Sequence, residues 1–212
     1  RTFRINKSDK FVRRIYNKSS FEWNGRYYGG WWQRTPKAYR SGIQLNGSPT
    51  CEIDFSAIHM VLLYAIAGID YWNEIGTDPY LLDDFEQSDE IRILLKVIVL
   101  VAVNAKSRKQ ALEAVRKELR DDTEGKYPRD IKIEQLIDAF AERHQPIKEY
   151  FYSSIGNLQY RMDSEIASYV IAYFLYGIKY WGGRKYTTRK GSRYYGKVPP
   201  LIYQPMLVLG IH

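Results

Sequence analysis

The chain has 212 residues, 45% hydrophobic and 26% charged, the composition of a soluble globular protein with one sizeable core. Lys and Arg number 32 against 24 Asp and Glu, and the net charge of +8 favours polyanionic partners, nucleic acid ahead of an anionic membrane. One Cys and three His exclude an internal disulfide framework, a Cys-rich zinc site and a His-rich metal cage.

Residues 1–50 are rich in Gly, Arg, Trp and Tyr, with turn signals at Asn24-Gly25, Gly29-Gly30 and Asn46-Gly47. They read as a basic arm leading into short strands. Lys10, Arg13, Arg14 and Lys18 form a basic patch interrupted by Phe11 and Val12, the pattern of a partly buried segment with a solvated edge. Gly42 to Leu45 and Thr50 to Phe55 flank Asn46-Gly47-Ser48-Pro49 and read as a hairpin. Ala57 to Ala67 reads as a helix with Ile58, Leu62, Ala65 and Ile66 on one face.

Asp78-Pro79 marks a turn. Ser88 to Leu119 reads as one long helix or two, with Ser88 as N-cap and Asp89 and Glu90 in the first turn. A charged loop covers 121–130. Ile131 to Arg143 and Pro146 to Tyr152 read as shorter helices, and Ser164 to Tyr176 as another, with Ile166, Tyr169, Val170 and Phe174 as its apolar stripe. Leu207 to Ile211 reads as a final strand. The apolar runs 60–69 and 93–103 are each about half the length a bilayer crossing needs, so no membrane span and a cytoplasmic location are expected. The chain starts on Arg and ends inside an apolar run, and reads as part of a longer protein.

The segment richest in chemical signal is Glu52-Ile-Asp-Phe-Ser-Ala-Ile58. It places Asp54 where a strand would meet a helix. A carboxylate there, beside the carbonyl of Phe55, makes an oxygen site suited to Mg²⁺, and equally a helix-start Asp. Arg92, Lys96, Leu100 and Asn104 recur every four residues and share one helical face, as an anion site or as a solvated edge. Arg26, Arg34, Lys37 and Arg40 suit phosphate contact. Residues 179–197 alternate cations with rings, either to track phosphate and stack bases or as a solvated hairpin with paired Tyr side chains.

Asp54-Phe-Ser-Ala-Ile58, followed by Leu62, Leu63, Ala65 and Gly68-Ile-Asp70, resembles motif A of family A polymerases. That family includes the bacterial repair DNA polymerases and the single-subunit phage and mitochondrial RNA polymerases. The resemblance implies an α+β fold, with a small antiparallel palm sheet packed on helices and a reduced helical fingers region. It divides the chain into a basic arm with strands (1–50), a palm (51–79 and 150–212) and a fingers-like insertion (80–149). It implies that Asp54 and the Phe55 carbonyl hold catalytic metal, two Mg²⁺ in all. Arg92 and Lys96 match the cations that hold the incoming triphosphate, while Leu100 and Asn104 stand where aromatics are usual.

His59 occupies the position where DNA-making members screen the sugar with Glu; a packing role is the alternative. Asp163-Ser164 resembles a pair on the helix before motif C, with an N-cap role as the alternative. Asn24-Gly25-Arg26 resembles a Gly-Arg motif that contacts primer–template. Pro205 to His212 resembles the strand entering motif C, which places His212 near the primer terminus and implies that an Asp follows it. Further nucleic-acid contacts are implied at Arg184, Lys185, Arg189, Lys190 and Arg193. The expected activity is nucleotide addition to a primer 3′-OH, with primer–template DNA or RNA and nucleoside triphosphates as partners. A degenerate palm that only binds nucleic acid is the alternative, and a template-independent transferase a third.

Overall fold

Asn46 and Gly47 hold φ angles of 51° and 80°, the left-handed pair that a two-residue hairpin turn requires. In the computed structural model, which describes residues 4–6, 8–50, 52, 54–128 and 131–176, this turn joins strands β3 (Gln44–Leu45) and β4 (Ser48–Pro49). Thr50 closes the hairpin, donating to the Ile43 carbonyl from its backbone and its hydroxyl. The hairpin is tighter than the one expected, because the return strand is 48–49 rather than 50–55. Proline cannot donate to a ladder, and β4 ends on one.

The expected strand at Asp54 is absent: Asp54 and Phe55 lie in none. The Asp54 carboxylate instead accepts from the Phe55 amide at 2.9 Å, a local bond that competes with strand pairing. Described residues form two small antiparallel sheets and a larger helical part, broadly compatible with an α+β class.

The chain divides into two compact units, Arg1–Ser56 with Tyr160–Ile178, and Ala57–Gln159. In the first, β1 (Arg13–Tyr16) pairs antiparallel with β2 (Asn24–Tyr28). Tyr16 pairs with Asn24 and Ile15 with Arg26, so Gly25 is the extra residue of a β-bulge, at φ 88°. A 3₁₀ turn (Trp31–Arg34), a four-residue helix α1 (Lys37–Arg40) and the β3–β4 hairpin follow.

The second unit contains α2 (Ile58–Ile66), α3 (Tyr71–Glu74), α4 (Asp89–Asn104), α5 (Arg108–Arg120), α6 (Ile133–Arg143) and a 3₁₀ turn (Gln145–Tyr150). Helix α2 buries Met60 and every residue from Leu62 to Ile66, so it is packed nearly all round rather than on one stripe. The 88–119 stretch is two helices. Ser88 caps α4 by accepting from the Ile91 amide, and Ser107 restarts the chain as α5 by accepting from Gln110. Leu94, Leu95, Ile98, Val99 and Val103 of α4 join Val115, Leu136, Ile137, Phe140 and Ile147 among the buried core side chains. Each such side chain contributes roughly 1.5–3 kcal/mol when fully buried.

Helix α7 (Gly156–Tyr176) begins eight residues before the expected start at Ser164. Asp163 and Ser164 are therefore mid-helix, and neither is an N-cap. No helix among the described residues is long and apolar enough to cross a membrane. The strand expected at 207–211 and the segment 179–197 lie outside the described residues, as do Arg184, Lys185, Arg189, Lys190, Arg193 and His212.

Candidate nucleotide and nucleic-acid site

Helix α4 displays the row that its spacing predicts. Arg92 is half-exposed, and Lys96, Leu100 and Asn104 are exposed, while the opposite face carries the buried Leu94, Leu95, Ile98 and Val99. Arg92 Nε donates to Asp78 Oδ2 at 2.9 Å, and the guanidinium carbon lies 5.3 Å from the Tyr80 ring centroid. Lys96 Nζ lies 5.8 Å from the same ring and makes no ion pair among the described residues. The Tyr80 ring, 6% exposed, is thus a platform under two cations.

Burial opposes ionisation of Asp78. The Tyr80 amide, the Arg92 hydrogen bond and the charges of Arg92 and Lys96 outweigh it and hold the carboxyl below its ordinary value. Burial pushes the Tyr80 hydroxyl up to about 12. Asp78 therefore stays charged at neutral pH and fixes Arg92 through Nε, leaving both terminal nitrogens without a partner among the described residues. Asn104 donates to the Leu100 carbonyl at 2.7 Å, so its amide is tied back to its own helix.

Asp54 and Phe55 are exposed, and they belong to the first unit. With one oxygen accepting from Phe55, Asp54 keeps a second oxygen turned to no partner among the described residues. A hard carboxylate of this kind suits Mg²⁺, which is commonly held by one or two carboxylates with waters and substrate phosphates. Among the described residues no group of three His, Cys, Asp or Glu side chains could hold a metal ion. His59 lies in the first turn of α2, where its carbonyl accepts from Gln159 Nε2 at 2.7 Å.

The arginines singled out near the N-terminus are largely engaged. Arg26 grips Asp163 through Nε at 2.9 Å and Nη2 at 2.8 Å, and stacks 4.3 Å from the Tyr160 centroid. Arg34 pairs with Asp9. Arg40 donates to Glu52 at 2.5 Å and to the Thr35 carbonyl at 2.9 Å. Lys37 alone of the four has no ion pair among the described residues. Asp163 is thus a partner of Arg26, and Ser164 accepts from Arg14 Nη2 at 2.9 Å while donating back to the Arg161 carbonyl.

Sequence reasoning missed the strongest polar cluster of this unit. Glu165, with a side chain 14% exposed, accepts from Arg14 at 2.9 Å and forms an ion pair with Arg161 at 2.5 Å. Burial works against the Arg14 cation, and the Glu165 bond and charge outweigh it, raising its pKa. The i,i+4 spacing of Arg161 and Glu165 was a readable signal; Arg14, 151 positions away, gave none.

Comparison with protein-family models, curated proteins and solved structures returns no match.

Proposed function

We propose that the chain is a nucleic-acid-dependent nucleotidyltransferase of the family A type, with palm and fingers parts, that adds nucleotides to a primer 3′-OH. Its partners are primer–template DNA or RNA and nucleoside triphosphates. The observation that carries the reading is the cation pair of α4. Arg92 and Lys96 stand four residues apart on an exposed face, on one buried ring, with the Arg92 terminal nitrogens and Lys96 Nζ available to an anion. A triphosphate is the anion whose length and charge suit two cations one helical turn apart. The motif that precedes them, from Asp54 to Asp70, supplies the family order.

In this reading Arg92 binds phosphate oxygens in a fork, and Lys96 adds a mobile point charge. Asp78 is a positioning residue: it locks the guanidinium and keeps its terminal nitrogens outward. Asp54 and the Phe55 carbonyl would supply oxygens to Mg²⁺, two ions in the family's chemistry, whose contribution would be to stabilise charge on the attacking and leaving oxygens. The basic first unit holds nucleic acid.

The test is extension of a labelled primer, with template, without template, and with each nucleotide offered singly. Extension by the complementary nucleotide alone is the expected result. Extension that ignores the template makes the chain a template-independent transferase. No extension, with salt-sensitive oligonucleotide binding retained, overturns the catalytic reading and leaves a nucleic-acid-binding module.

A further inference from the structure

Charge is unevenly spread along the chain, and residues 179–212 carry 7 Lys and Arg with no Asp or Glu, a net +7. Residues 1–56 hold 11 Lys and Arg against 4 Asp and Glu, a net +7, whereas residues 57–159 hold 13 against 18, a net −5. Within the cationic first unit an open cleft of about 930 Å³ lies along the β1–β2 hairpin, the 3₁₀ turn and α7. Two of its cations, Arg26 and Arg34, are neutralised by Asp163 and Asp9. The third, Arg13, is exposed and has no ion pair among the described residues. It stands opposite Tyr28 in the strand register.

Two rings of the cleft are open to solvent, Phe11 at 59% and Tyr28 at 41% exposed. Rings interleaved with a cation along one cleft fit a ligand with flat apolar faces and a charged backbone. Bases in a duplex have their faces covered by their neighbours, so only an unpaired strand can offer them.

We propose that this cleft binds single-stranded nucleic acid, with bases stacking on Phe11 and Tyr28 and a phosphate on Arg13. The proposal rests on the nucleic-acid partner of the preceding reading and deepens it. It also moves the phosphate contact from Arg26 and Arg34, which are already paired, to Arg13. Recognition by stacking and charge is tolerant of sequence, because every base has a π-face.

Fluorescence anisotropy of a labelled oligodeoxythymidylate, in EDTA and without nucleotide, tests this apart from any chemistry. The full chain is compared with Phe11→Ala and Arg13→Gln. Both side chains are exposed and make no hydrogen bond among the described residues, so the circular dichroism spectra should match the wild type. Phe11→Ala is expected to weaken binding on the order of tenfold at unchanged salt slope. Arg13→Gln is expected to lower the log–log salt slope by roughly 0.7, the loss of one single-strand phosphate contact. Wild-type affinity and slope in both variants would overturn the proposal, as would a wild-type chain that binds no oligonucleotide. Binding lost in the variants from a chain that extends no primer upholds this cleft and removes only the catalytic reading.

Discussion

His144 is 1% exposed and answers to two partners. Its Nε2 donates to the Pro79 carbonyl at 2.9 Å, which can only accept, so Nδ1 is the acceptor for the Tyr64 hydroxyl at 2.8 Å. The ring is thereby held neutral in one tautomer. Burial is the main cause that lowers its pKa to about 4; the Pro79 bond opposes this, and the Arg143 charge adds to it. The unfolded value near 6.5 is higher, so the unfolded chain binds a proton between the two. The stability linked to His144 is therefore complete above about pH 6.5 and is lost as pH falls toward 4, up to roughly 3 kcal/mol. Urea unfolding at pH 7 and pH 5 checks this. The wild type should lose more stability between the two than His144→Gln does, and equal losses would contradict the account. Nothing in the sequence marked this residue, because its partners Tyr64 and Pro79 stand 80 and 65 positions away.

At the scale of elements, what was legible followed period and caps. The four-residue rows of α4 and the Ser88 cap were readable because they are local. The start of α7 was not: Gly156 carries low helix propensity, yet it opens a 21-residue helix. What holds that helix to β1 and β2 is polar. Arg14 and Arg161 converge on Glu165, Arg26 forks onto Asp163, and the Tyr27 and Ser168 hydroxyls meet at 2.8 Å. Glu165→Gln leaves two cations facing a neutral amide in a mostly buried spot. The expected loss is about 2–3 kcal/mol, read from the urea midpoint. The exposed pair Glu124–Lys126 is the control, and Glu124→Gln should leave the midpoint unmoved. Equal effects at both sites would mean the cluster contributes no more than surface charge. The palm strand at Asp54 failed as an expectation for a local reason as well, since the side chain of Asp54 captures the next amide.

For the whole molecule, the distribution of charge is uneven along the chain. A net +7 over residues 1–56 and another +7 over 179–212 flank a net −5 over 57–159, which leaves α4 as a local cationic row in an acidic stretch. Composition revealed the excess charge; only the ion pairs reveal which cations are free. Of Arg26, Arg34, Lys37 and Arg40, three are engaged, while Arg13, read from sequence only as part of a basic patch with a solvated edge, is exposed and has no ion pair among the described residues. The α4 row, by contrast, was legible in full, because a helix face is written in its spacing. The central claim is that Asp54 serves nucleotide transfer. The direct measurement is the single-turnover rate of primer extension by Asp54→Ala at saturating nucleotide, beside its affinity for oligonucleotide. The account predicts a rate lower by at least about a hundredfold with affinity unchanged, the signature of a group needed in the transition state. A variant that extends primer at the wild-type rate would contradict it.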